Sequence, residues 1–443
     1  MTLQLDTLGD TRVLLPGDDG YARASTAFAR VGRPAVVVQP ADADEAAAAV
    51  VFARDNGLTL SVRSGGHSGS GHSTNDDGLV LDLALLDTVE VLPGDLVRIG
   101  GGATWGTVAS ALGDYDLAIT SGDTASVGVG GLTLGGGIGW LVREYGLALD
   151  NLVAAEVVTA DGQILGADES ENPDLFWALR GGGGNFGVVT SFTFRASPLD
   201  GIHFGTLEFA SDDLAALLTG WRDVMRAAPE RLGSTFLSMP PFGDMPGGVQ
   251  IIVCYGASDD DAAAEAIAPL LALGGLTGNT IARTSYSEIL GDAHAPEGVR
   301  IVNNNAFAPD LSDACIRAVA EMYSATPGSV LMVRYLGGAF NRVDRDATAV
   351  AFRDSETLII SAAFFPHDAG DDAVEAYQQR WDSLLPYLQG LYGNFSALAS
   401  DVATPLMYPP DTLARLERIK SVYDPQNLFD QNHNIRPTAA DWR

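Results

Sequence analysis

Short apolar runs alternate with helical segments and glycine clusters over the first 200 residues. "PAVVVQP" (34–40) reads as a strand. The alanine-rich "DADEAAAAVVFARDNG" that follows predicts a helix capped by Asp42 or Asp44 and stopped by Gly57. "LTLSVR", "GLVLDL" and "TVEVLPGDLVRIGGG" predict strands, the last with Pro-Gly-Asp as turn punctuation at its centre. "LVAAEVVTADGQILGA" predicts a hairpin around Asp161-Gly162, and "NPDLFWALR" a helix leading into "GGGGNFG" and the strand "VVTSFTF".

After "RASPLD" the glycine density falls. Residues 211–228 and 258–273 predict helices, "TFLSM", "GVQIIVCYG" and "SVLMVRYLGG" predict strands, and residues 370–391 predict one long helical stretch. That order suits an α+β arrangement, an antiparallel sheet covered by helices. "PPDTLARLERIKSVYDPQNLF" returns to helix before a Pro/Asn-rich tail, and no internal repeat is visible. The expected segments are 1–200, 201–404 and 405–443.

At 443 residues and 46% hydrophobic content, the chain exceeds the usual single-domain size and calls for two domains or one split domain. Its net charge is -31, and Lys420 is its single lysine. Such a surface favours solubility and repels phosphate backbones, which argues against nucleic-acid and anionic-membrane partners. No run approaches the roughly 18 apolar residues of a membrane helix. The N-terminus lacks a basic start followed by an apolar run, so a cytoplasmic protein is expected. Cys254 and Cys315 sit among apolar neighbours without metal or redox spacing, as buried thiols do.

Three glycine clusters stand out, at 64–71, 128–139 and 181–187. Glycine lets successive backbone amides ring a phosphate where a Cβ would collide, so three such loops imply a large phosphorylated ligand. Gly182-x-Gly184-x-x-Gly187 matches the dinucleotide fingerprint, but here a helix precedes it and a strand follows, the reverse of the order that motif needs. No phosphate-binding loop with a Lys exists either. "SVRSGGHSGSGHSTNDDG" (61–78) holds His67 and His72, but no carboxylate or cysteine completes a metal set, so none is expected.

Taken together, "VRSGGHS" (62–68), "SVGVGGLTLGGGIGWLVREYGLALDN" (126–151), "VVTADG" (157–162), "NPDLFWALRGGGGNFGVVTSFTF" (172–194) and "YDPQNLFDQNHNIRP" (423–437) carry a resemblance. The chain resembles the berberine-bridge-enzyme-like branch of the vanillyl-alcohol-oxidase / p-cresol-methylhydroxylase (PCMH-type) flavoprotein superfamily. The resemblance implies a PCMH-type FAD-binding domain of two α/β subdomains, made from residues up to about 200 plus the tail. Between them it implies a substrate domain whose antiparallel sheet roofs the isoalloxazine.

It further implies that His67 carries FAD through the 8α-methyl group, a neutral imidazole nitrogen adding to the electrophilic form of that methyl. The implied cofactor contacts around it are Arg63, Ser64, Gly65, Gly66, Ser68 and His72. The second cluster adds Gly122, Ser126, Val127, Gly128, Gly130, Gly131, Gly135, Gly136 and Gly139, and the third adds Gly187 and Val189. In the tail, Asn432 and Asn434 flank His433, which stands where a Gln is frequent. Two departures matter. Thr124 and Ala125 occupy the positions of the branch's Cys-Pro pair, so a single covalent link is expected, and Ile138 replaces a frequent aromatic.

A covalent flavin takes hydride from a carbon bearing O–H or N–H while a base removes the heteroatom proton. The motif Y-x-N-[YF] reads Tyr392-Gly393-Asn394-Phe395, which implies Tyr392 near the ring, and a positive neighbour must lower a phenol before it acts as base. Arg334 in "LMVRYLGG" is an arginine in an apolar strand, so it pairs with an acid, meets the ligand or faces solvent. Alternation puts Leu331, Val333 and Tyr335 on the other face and favours solvent. Arg334 and Tyr335 cannot both face the flavin, and one of them is expected to. Asn303, Asn304, Asn305 and His367 are weaker candidates, expected to be structural.

The implied activity is an FAD-dependent oxidase acting on a small organic substrate, such as a secondary metabolite, alcohol or amine, with O2 as acceptor. A dehydrogenase with another acceptor, an oxygenating flavin enzyme and a flavin-retaining binding protein stay open.

Overall fold

The computed structural model describes residues 4–241, 247–292, 299–366 and 368–438; His367 lies outside them. The helix Ala43–Asp55 starts where Asp42 accepts the Glu45 N–H at 2.9 Å, and the chain turns out of it at Gly57 with φ +60°. It packs on a four-stranded sheet ordered Arg12–Leu14, Val36–Gln39, Leu79–Asp82 and Leu60–Arg63. The last three strands run parallel, and their near-continuous Val/Leu runs are buried. A five-stranded antiparallel sheet follows, ordered Ile164–Asp168, Leu152–Val158, Val188–Arg195, Leu96–Gly100 and Val89–Leu92.

The rest of the fold is an eight-stranded antiparallel sheet. Its central run is Gly248–Tyr255, Leu232–Met239, Ser329–Tyr335 and Thr357–Pro366, flanked by Ile202–Phe209 and Val299–Ala308. Helices Leu214–Ala227, Asp260–Leu271 and Asp313–Ser324 bury Trp221, Ile267 and Val319 against one face. The other face packs on the N-terminal half: Leu336, Leu358 and Phe307 meet Ile138 and Leu147 of that half in one cluster, which Tyr392 joins. Both faces are therefore covered, and the whole is a mixed α+β fold.

Two expected elements differ. The glycine cluster at 128–139 contains a helix, Val129–Gly135, since its Val-Gly-Gly-Leu-Thr-Leu core turns without obstruction until Gly136 reaches φ +146°. The stretch 370–391 is helical only over Asp371–Asp382; Pro386 lies in a separate short 3-10 turn, and Gly390 has φ +57°. The asparagine run at 303–305 lies inside the strand Val299–Ala308.

The C-terminal helix Pro410–Tyr423 brings the tail back to the N-terminal half. Lys420, fully buried, donates to the Asn185 carbonyl at 2.7 Å, the Phe429 carbonyl at 3.0 Å and Asp424 at 2.6 Å. Lys420→Met leaves Asp424 buried without its cation, and a loss of about 3–5 kcal/mol is expected in denaturant unfolding. A change below about 1 kcal/mol would show that the junction contributes little.

Candidate active site

The strand Leu60–Arg63 ends in the first glycine loop, which the second cluster meets backbone to backbone. A Cβ on Gly65 would stand 2.3 Å from the Gly128 nitrogen, and one on Gly128 would stand 2.1 Å from the Gly65 nitrogen. Ser64 Oγ stitches the same pair of loops, donating to the Gly101 carbonyl at 2.7 Å and accepting from the Gly130 N–H at 3.3 Å. The third cluster is tied to the tail by Asn185, which donates to the His433 carbonyl at 3.1 Å and accepts from the Ile435 N–H at 2.9 Å.

These loops surround one cavity of about 470 Å³. Ser64, Gly65, Gly66, His67, Ser68 and His72 line it from the first cluster. Gly122, Val127, Gly128, Gly130, Gly131 and Gly135 line it from the second. Gly187, Val189, Asn432 and Tyr392 complete the sequence-derived set on the wall.

The imidazole of His67 is held on two sides. Its Nε2 lies 2.9 Å from Ser126 Oγ, and its ring stacks on Phe28 with centroids 5.5 Å apart. Burial, then the nearby Arg63 charge, hold its pKa below the ordinary histidine value, so the ring is neutral at pH 7. Arg63 itself lies beneath the loop, bound to Asp82 at 3.0 Å. Burial and His433 push His72 down to about 4; the two rings meet edge-on at 5.3 Å.

Tyr392 sits with its hydroxyl oxygen in a cradle of donors: the Gly137 N–H at 2.8 Å, the Ile138 N–H at 3.3 Å and the Asn394 amide at 3.0 Å. Its ring is wedged edge-on against Phe395 at 5.1 Å and Phe307 at 6.2 Å. Gly136 is obligatory beside it, since a Cβ there would lie 2.8 Å from the phenol ring. Burial raises the phenol's pKa above its ordinary value; the three donors and the Arg334 charge oppose that without cancelling it, so the positive neighbour expected to lower the phenol is present but outweighed.

Several expected contacts stand behind the wall instead. Ser126 reaches the site through His67, Arg63 through the loop, and Gly136 through Tyr392. Gly139 is packed against the Ser121 carbonyl, which a Cβ there would approach to 2.0 Å, and Asn434 does not line the cavity, its backbone carbonyl accepting from Thr404 Oγ1 at 3.3 Å. Tyr335 does not line the cavity: alternation points it to the helix-covered face, edge-on to Trp221, where burial and Glu356 push its phenol up to about 12. Arg334 lies on the opposite face, which packs on the N-terminal half and not on solvent, but it does not line the cavity either, so the expectation that one of the two faces the flavin is not met. Its guanidinium is bidentate to Asp123, at 2.6 and 3.0 Å, and 4.8 Å from the centre of the Trp140 ring.

Sequence reasoning missed Phe28, Asp123, Asn185 and Tyr408 on the wall. It also set Asn303 aside as structural, whereas Asn303 lines the cavity and donates to the Phe395 carbonyl at 2.9 Å. Three consecutive asparagines give no alternation that singles out Asn303, and half-exposed Phe28 in a two-residue hairpin gave no signal either.

Residues 34–168 match the FAD binding domain family, and residues 392–436 match the berberine and berberine-like family. Over nearly its whole length the chain is similar to (R)-6-hydroxynicotine oxidase of Paenarthrobacter nicotinovorans, 32% identical with 97% of each chain covered. The chain belongs to the berberine-bridge-enzyme-like FAD-linked oxidoreductases. Among solved structures of this family's fold, it is similar to xylooligosaccharide oxidase of Myceliophthora thermophila in complex with xylobiose. The TM-score is 0.88 at 26% identity, with 99% of this chain and 100% of that one covered. It is also similar to the Acremonium strictum glucooligosaccharide oxidase described with 6-S-cysteinyl, 8α-N1-histidyl FAD, at TM-score 0.85, 27% identity and 97% and 98% coverage. The two matched segments meet at the cavity, the first bringing His67, the second Tyr392, Asn432 and His433.

The cavity suits the family's cofactor on its own chemistry. A Cβ on Gly131 would meet nothing within 4 Å, so side chains there would fill space the loops leave free. Ser73, Asn303, Asn432 and His433 line the cavity, and their Oγ, Oδ1, Oδ1 and Nδ1 atoms are buried without a protein partner. Among the described residues no Lys or Arg lines it, leaving phosphate binding to backbone amides. Gly128→Ala is expected to part the first two loops and yield protein with little flavin absorbance; a fully yellow variant would show that the loops yield without loss.

Proposed function

We propose that the chain is an FAD-dependent oxidase with one covalent 8α-histidyl link through His67. It takes hydride from a C–H beside O or N of a small alcohol, amine or secondary metabolite and passes electrons to O2. The observation that carries the covalent link is the neutral His67 imidazole on the cavity wall, oriented by Ser126 and Phe28. Thr124 lines the cavity where the branch carries a cysteine, and Cys254 and Cys315 do not line it, which supports a single link. Relatives named as oxidases of 6-hydroxynicotine and of oligosaccharides support the substrate range.

FAD, when bound, supplies the hydride acceptor and the reaction with O2. The amides of the glycine loops hold its phosphates, and Asn303, Asn432 and His433 offer polar atoms to the rest. Tyr392 takes the substrate's O–H or N–H proton at its hydroxyl oxygen, where three N–H donors stabilise the charge that develops.

A screen of alcohols, amines and sugars for anaerobic flavin bleaching, with peroxide measured in air, tests this reading. Bleaching with stoichiometric peroxide is expected. Bleaching without peroxide would make the protein a dehydrogenase, and no bleaching across the screen would leave a flavin-retaining binder.

A further inference from the structure

We infer that Asp123 sets the charge of the substrate, receiving a protonated amine and turning away carboxylates. The inference rests on the oxidase reading in placing the substrate in this cavity. Among the described residues, Asp123 is the one Asp, Glu, Lys or Arg on the cavity wall. Arg334 holds it from behind, one guanidinium nitrogen to each carboxylate oxygen, a fork geometry that fixes the plane of the carboxylate.

The two partners are unequally reachable: the Arg334 side chain is 3% exposed and that of Asp123 is 27% exposed. A ligand entering the cavity therefore meets the carboxylate and not the guanidinium. Arg334 is also engaged elsewhere, donating from Nε to Thr235 Oγ1 at 3.1 Å, with the Trp140 indole across its face. The pair presents its negative end inward, and each carboxylate oxygen keeps an acceptor position for an N–H donor.

Position as well as charge favours an amine. Ile138 connects Arg334 to the proposed base: its carbonyl accepts from Arg334 Nη1 at 3.4 Å, and its N–H donates to Tyr392 Oη at 3.3 Å. A nitrogen held at Asp123 thus shares one cavity wall with the phenol that handles the proton. The loop is braced independently of any ligand, since the Asp123 carbonyl accepts the Gly291 N–H and the Ala125 N–H donates to the Gly291 carbonyl, both at 2.9 Å. An anionic ligand here faces a fixed like charge with no cation on the wall to offset it.

Calorimetric titration of the flavin-loaded protein with benzylammonium, benzyl alcohol and benzoate tests the inference, flavin content being measured first. The wild type is expected to bind benzylammonium about tenfold or more tighter than benzyl alcohol, the scale of one hydrogen bond to a charged group. Benzoate is expected to bind most weakly. Asp123→Asn abolishes that order, while Asp123→Glu, which keeps the charge and guards against a folding defect, retains part of it. Equal affinities in the wild type, or an ammonium preference that survives Asp123→Asn, overturn the inference. So does flavin lost from Asp123→Asn, which would assign the carboxylate to the cofactor. Failure of the oxidase reading shows differently, as absent bleaching and peroxide with the charge preference still measurable.

Discussion

His67→Ala protein gives up its flavin to the supernatant on acid precipitation, whereas the wild-type pellet stays yellow; this is the largest effect expected of any single substitution. Acid unfolds the chain and abolishes every contact that depends on the fold, so only a covalent bond keeps colour with the polypeptide. The imidazole is suited to form that bond because it is uncharged at pH 7 and because Ser126 and Phe28 restrict its rotation. Among the described residues no cysteine lines the wall, Thr124 standing where the branch carries one. Flavin released from the wild type would sink the covalent claim and leave FAD binding intact.

Tyr392→Phe is expected to slow anaerobic flavin reduction about a hundredfold or more, the usual contribution of a positioned acid or base, with the flavin retained. The pH profile separates this role from a packing role. Because burial raises the phenol's pKa, the deprotonated form grows as pH rises through the alkaline range. Reduction by the wild type should therefore climb with pH over that range and reduction by the variant should stay flat. The variant also strands the Gly137, Ile138 and Asn394 donors, a stability cost of about 1–3 kcal/mol visible in unfolding. Unchanged reduction rates would remove Tyr392 as the base.

What the sequence could disclose here was local. Asp42 as a cap, Gly57 as a stop and the Asp161-Gly162 hairpin depend on neighbours a few residues away, and each element forms as expected. The three glycine clusters could be read because close backbone approach leaves only glycine at Gly65 and Gly128. The environment of Arg334 could not. Alternation correctly separated it from Tyr335, but its partner Asp123 lies 211 residues earlier, and only the docking of the sheet on the N-terminal half turns a solvent-facing expectation into a buried ion pair. Asn303 illustrates the same limit: expected to be structural, it meets the cavity only because the fold brings that part of its strand to the wall. The overextended helix at 370–391 is a different failure, since Pro386 and Gly390 were both present as stop signals.

The isolation of Lys420 gives the protein a built-in reporter. Acylating and imine-forming reagents need a free, accessible amine, and this one is fully buried with its three donors engaged by Asn185, Phe429 and Asp424. With no other lysine to add background, the rate at which Lys420 is labelled measures how often the C-terminal tail lifts from the third glycine loop.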